Sequence, residues 1–155
     1  MELFINQVHK LLIKNKKTLA VAESCTGGLL SYLLTSISGS SKYFVLGLVV
    51  YSNRVKTSML NIPASLILQR GAVSEEVARK MSEKIRKLAK TDFGIGLTGI
   101  AGPGVSTKDK PVGTLFIAVD GKKQKTCQRF QFQGSRQTIR KATALKALEL
   151  LKCFL

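Results

Sequence analysis

TLAVAESCTGGLLSYLLTSI, residues 18–37, changes its apolar period halfway along. Thr18–Ser24 is a short apolar run of strand length. Beyond Gly27 and Gly28, Leu29, Leu30, Leu33 and Leu34 recur at the spacing of one helix face. A buried strand that feeds a helix through a glycine turn is one step of a layered α/β domain. The turn itself, AESCTGG (22–28), sets a serine, a cysteine and a threonine between an acid and two glycines. That composition suits a nucleophile on a tight turn, a phosphate cradle, or simply the end of a buried strand.

The flanking sequence repeats the pattern. MELFINQVHKLLIKNKK opens the chain as a helix with Phe4, Val8, Leu11 and Leu12 on one face. YFVLGLVVYS (43–52) reads as a second strand, apolar enough to be covered on both faces. Asn53 is the expected N-cap of a short helix that ends near Asn61, before Pro63. Ser74 caps a longer helix, with Glu75 and Glu76 in its positive first turn and Val77, Met81, Ile85 and Leu88 turned inward. DFGIGLTG (92–99) is a third strand and runs into the loop GIAGPGVSTKDKPVG (99–113). TLFIAVD (114–120) and KTCQRFQF (125–132) form a hairpin across Gly121. Ser135 caps a last helix that buries Ile139, Ala142, Leu145 and Leu148. The expectation is one domain over residues 1–155, an α/β three-layer α/β/α sandwich with a mixed, mostly parallel β-sheet. Ligands of such sheets bind beyond the carboxyl ends of the strands, where ESCTGG, YSNRVK and TGIAGPG gather.

Composition narrows the chemistry. Twenty-five Lys and Arg against nine Asp and Glu give a formal charge of +16, a field that draws phosphorylated partners. The plainer reading is lysine on the solvent faces of helices, at Lys80, Lys84, Lys87, Lys141, Lys146 and Lys152. No apolar run approaches the ~20 residues of a membrane span, and the N-terminus lacks signal-peptide order; a soluble, cytoplasmic protein is expected. Three scattered cysteines and one histidine favour neither a disulfide framework nor a metal site, so no metal and no cofactor are expected. His9, on the flank of the first helix, reads as a solvated surface residue, and Tyr32, Phe44, Met59 and Met81 as packing residues.

Without a histidine base, a nucleophilic serine needs a lysine. Lys56, in SNRVK, falls in the first turn of a helix beside Arg54, where the dipole and a like charge both disfavour its proton; the alternative is an ordinary solvated lysine. Thr98 and the glycines of TGIAGPG, among them Gly99 and Gly102, offer a hydroxyl and close backbone approach. Arg136, just after Ser135, could meet an anion at a helix start.

AESCTGG, GSSKYF, VVYSNRVK, GAVSEEVA, LTGIAGPG and KPVGT occur in that order, and together they resemble the nicotinamide-nucleotide amidase family, also found as the C-terminal domain of the competence/damage-inducible protein CinA. The resemblance runs from about Leu3 into the last helix and looks like the stand-alone form. It implies hydrolysis of nicotinamide mononucleotide to nicotinate mononucleotide and ammonia by a serine–lysine pair, without metal or cofactor. By motif, Ser41 is similar to the nucleophile and Lys56 to its base. Ser24, Tyr51 and Thr98 are similar to their active-site partners. Thr26, Gly27, Gly28, Asn53, Gly99, Gly102 and Arg136 are the implied substrate contacts, Arg136 at phosphate or ribose. A homo-oligomer, in the first instance a dimer, is expected, with nucleic acid bound at most non-specifically. The rival readings are a basic nucleic-acid-binding module, which lacks an aromatic-basic signature, and an inactive relative that keeps the fold for binding.

Overall fold

The structure, a computed structural model, describes residues 2–104 and 106–155; Met1 and Val105, the latter in the glycine-rich loop, lie outside the described residues. The elements run α1 (Glu2–Lys14), β1 (Leu19–Glu23), α2 (Leu29–Thr35), β2 (Phe44–Val49), α3 (Asn53–Leu60), α4 (Ala64–Arg70), α5 (Glu75–Ala89), β3 (Phe93–Gly99), β4 (Thr114–Gly121), β5 (Lys125–Gln131) and α6 (Arg136–Lys152). A 3-10 turn, Ser40–Lys42, precedes β2.

The sheet has the order β2-β1-β3-β4-β5. β1 pairs in parallel with β2 and β3, whereas β4 runs antiparallel to both β3 and β5. Four strands therefore share one direction and only β4 opposes them, the mixed and mostly parallel sheet that the sequence implies. Side chains alternate across β1. Leu19 and Val21 join the core under α1, α2 and α6, while Ala20 and Ala22 join the core under α3, α4 and α5. Three layers follow from that alternation.

The α5 face is built for close approach. A Cβ on Gly96 of β3 would stand 2.5 Å from both the Ala78 carbonyl and the Ser82 amide nitrogen, and one on Gly94 would collide with the Ser82 carbonyl. Backbone cannot yield as a flexible side-chain tip can. Gly96→Ala is expected to cost about 1–3 kcal/mol through overpacking, read as a lowered midpoint in a thermal melt; an unchanged midpoint would mean that α5 can lift from the sheet freely.

Several local expectations need correction. β2 is an edge strand, not one covered on both sides: Val45 and Val49 are exposed and only alternate residues touch the core. Ser52, not Asn53, caps α3, its hydroxyl accepting from the Val55 amide at 3.2 Å. Pro63 does end the preceding segment, but it also starts a helix, α4, which closes at Gly71 with φ 80°. Leu88, in the last turn of α5, is exposed, as are Tyr32 and Met59. His9 is half-buried rather than solvated, edge-on to Tyr43 with ring centroids 5.4 Å apart.

Candidate active site

Glu23 ends β1 and is completely buried. Its carboxylate accepts from the amides of Gly28 (3.1 Å), Leu30 (3.1 Å) and Ser31 (2.8 Å) and from the Ser31 hydroxyl (2.7 Å). These amides lie at the start of α2, where a helix lacks its own acceptors. A buried acid thus clamps the 24–28 turn from within. From outside, Arg140 of α6 donates to the Thr26 carbonyl through both Nε (3.1 Å) and NH2 (2.6 Å). Gly27 and Gly28 sit at φ 58° and 93°, a left-handed pair that a Cβ would strain.

The clamped turn presents Ser24 to Lys56. Lys56 Nζ lies 3.1 Å from Ser24 Oγ and donates to the Tyr51 carbonyl at 3.0 Å. The lysine comes from the second turn of α3 and is 1% exposed. Burial pushes its pKa below the ordinary 10.5, with the nearby Cys25 sulfur opposing the shift. Nothing anionic among the described residues hydrogen-bonds the amine to hold its proton. Burial also pushes the Cys25 thiol up to about 12, so this sulfur stays protonated at neutral pH and is no rival nucleophile.

Ser24 and Lys56 open into a cleft of 530 Å³, also lined by Tyr51, Asn53, Gly99, Gly102, Lys110 and Arg136, within the usual size of a small-molecule site. Arg136 spans its rim, donating to the Gly102 carbonyl at 2.5 Å and to the Tyr51 hydroxyl at 3.0 Å. A second hollow of 610 Å³ between α3 and α4 shares Asn53, Gly71 and Ala72 with the cleft. Its lining offers the Thr57 and Ser58 hydroxyls but no group that could take a proton from them, so the chemistry belongs to the first.

The remaining expected residues part from this group. Ser41 lies in the 3-10 turn before β2, whereas Lys56 follows β2. Six residues of strand separate the two ends by roughly 20 Å. Ser41 is exposed in that turn, Lys56 Nζ meets Ser24 and the Tyr51 carbonyl instead, and the expected Ser41–Lys56 pair does not form in this chain. Thr98 is buried and donates to the Ala72 carbonyl at 2.8 Å; it fastens β3 to the segment before α5 and does not line the cleft. Thr26, Gly27 and Gly28 likewise shape the turn without lining the cleft. Sequence reading missed Glu23, Arg140 and Lys110. A buried acid just ahead of a helix start was a usable signal for the first, but nothing local marks Arg140, 114 positions from its partner.

A family model described as the CinA C-terminal domain matches residues 2–155. A CinA-like protein of Syntrophus aciditrophicus is 48% identical over 96% of this chain, and a putative competence-damage inducible protein of Thermoanaerobacter pseudethanolicus 47% identical over 96%. The chain spans 36% of each of these relatives' length. Among solved structures, the competence/damage inducible protein CihA of Agrobacterium tumefaciens superposes with a TM-score of 0.95 at 32% identity, over 98% of this chain and 93% of that one. A CinA superfamily protein of Escherichia coli superposes with a TM-score of 0.94 at 29% identity, over 99% and 90%.

Proposed function

The chain belongs to the CinA C-terminal domain family, and from that premise we propose that it is an amidase that hydrolyses the carboxamide of nicotinamide mononucleotide to nicotinate mononucleotide and ammonia. The observation that carries this reading is the buried Lys56 amine 3.1 Å from Ser24 Oγ, at the floor of a cleft whose described lining includes Arg136 and Lys110 and no acid. A neutral amine can take a proton from a serine hydroxyl, and a cationic rim suits a substrate with a phosphate. The family motifs quoted above point to the pyridine nucleotide.

In this reading Ser24 Oγ attacks the carboxamide carbon as its proton passes to Lys56 Nζ. The Tyr51 carbonyl, which accepts one N–H of the amine, turns the lone pair toward Ser24. The amide of Cys25, a residue that lines the cleft, follows the nucleophile directly and makes no backbone–backbone hydrogen bond among the described residues; it is the donor for the oxyanion. Collapse expels ammonia with the proton from Lys56. The same lysine then deprotonates the water that cleaves the acyl-serine, and Ser24 is regenerated.

The test is ammonia release by the purified protein from nicotinamide mononucleotide and from free nicotinamide, each with and without EDTA. The nucleotide is expected to be deamidated, the free base far more slowly, and chelation to change neither rate. No release from the nucleotide, or activity lost with EDTA and restored by a divalent metal, would overturn the reading.

A further inference from the structure

We infer that Lys110, on the loop between β3 and β4, is the principal anchor for an anionic oxygen cluster of the ligand, a phosphate monoester, and that Arg136 chiefly shapes the rim. This rests on the reading of the cleft as a nucleotide site and assigns its phosphate subsite. Arg136 already spends NH1 on the Gly102 carbonyl and NH2 on the Tyr51 hydroxyl. Its guanidinium is therefore oriented along the rim by protein partners, joining α6 to the glycine loop and to the segment after β2. Lys110 differs. Its ammonium lines the same cleft and has one protein acceptor among the described residues, the Arg70 carbonyl at 3.2 Å, leaving two of its three donors for a ligand.

The lysine is also held in place rather than left to swing. Its backbone amide and carbonyl close a turn with Thr107, the amide meeting both the Thr107 carbonyl and hydroxyl at 3.1 Å. The Arg70 carbonyl, at the end of α4, fixes the far end of the side chain beside Gly71. The ammonium packs directly against Gly71, where a Cβ would stand 3.5 Å from Lys110 Nζ, at ordinary contact distance. The side chain thus ties the loop to the end of α4, and Gly104, Thr107 and Arg136 line the same cleft. None of the described lining residues is acidic, so nothing in the cleft competes with a phosphate for the ammonium. A charge-assisted contact of this kind contributes on the order of 1.5–3 kcal/mol, about ten- to a hundredfold in affinity.

The experiment compares Lys110→Met, Lys110→Arg and Arg136→Met with the unaltered protein in two measurements. The first is catalytic efficiency on nicotinamide mononucleotide relative to its riboside, which lacks the phosphate. Lys110→Met is expected to lower that ratio about ten- to a hundredfold, Lys110→Arg to restore most of it, and Arg136→Met to affect both substrates alike. The second is an NMR titration with inorganic phosphate, which needs no turnover. Shifts at the amides of residues 104 and 107–110 should saturate in the unaltered protein and vanish in Lys110→Met. Equal losses on both substrates with phosphate binding intact would overturn the assignment. If no ammonia is released from the nucleotide at all, the amidase reading falls, and the phosphate titration still decides Lys110: saturable shifts lost in Lys110→Met uphold the anion site, and their absence ends it.

Discussion

Ser24→Ala is expected to reduce turnover by on the order of 10³-fold or more, the scale set by removing a nucleophile from a covalent mechanism, while Ser41→Ala stays within about threefold of the unaltered protein on the scale of a surface substitution away from the site. Both proteins should fold. Ser24 gives up a small polar side chain whose hydrogen bond is to Lys56, and Ser41 is exposed. Steady-state ammonia release together with melting curves tests the pair, and labelling with a fluorophosphonate followed by peptide mass spectrometry identifies the modified serine without relying on the natural substrate. Label on Ser24 in the unaltered protein, absent from Ser24→Ala, is the expected result. A large loss in Ser41→Ala would require a second copy of the chain to bring that hydroxyl to the cleft, because within one chain β2 stands between Ser41 and Lys56.

That contrast shows what a linear motif carries and what it omits. GSSKYF marks the region as related, yet it does not say at which end of the sheet the serine stands. The strand reading held the answer. A residue just before a strand and one just after it lie at opposite ends, and YFVLGLVVYS separates Ser41 from Lys56. Ser24 and Lys56 instead both follow strands, β1 and β2, that run in parallel side by side, so their loops must emerge together. The layered fold was legible for a similar reason: period changes such as that between Thr18 and Leu34 depend only on neighbours in sequence.

What escaped was non-local. The exposure of β2 follows from its place at the sheet edge, which no apolar run announces; an edge strand and a central one can have the same composition. The role of Thr98 depends on the Ala72 carbonyl arriving across the loop before α5. Gly94 and Gly96 are the contact surface that lets α5 approach, a role set by a helix that arrives from elsewhere in the chain and not by the strand run DFGIGLTG itself. Asn53 and Ser52 are both good capping residues, and one position of helix phase decided between them.

Lys56→Met should lose activity by about 10²–10⁴-fold, the usual contribution of a positioned base, and yet melt no lower than the unaltered protein. The two halves of that expectation have one cause. The amine is buried with no carboxylate paired to it, and burial lowers its pKa from 10.5. Activity needs the neutral amine, so in the unaltered protein kcat/KM should rise with pH through the lowered pKa and level off above it. It should fall away as acid restores the ammonium. Stability carries the same sign. Between the folded-state pKa and the unfolded value near 10.5 the unfolded chain binds more protons, so stability rises with pH across that window; below the window the buried charge is a standing cost to the fold. Methionine has nearly the same length and carries no charge, so Lys56→Met should remove both the cost and its slope, giving a melting midpoint at neutral pH equal to or above that of the unaltered protein. Lys56→Arg separates charge from shape, for a guanidinium cannot act as a base at any accessible pH; it should be as inactive as Lys56→Met and less stable. Melts and rates across pH 6–9 decide the matter. Activity that does not fall however far the pH is lowered within the folded range, or a Lys56→Met protein that melts well below the unaltered one, would mean that the lysine is not the base, which would have to be sought elsewhere in the cleft.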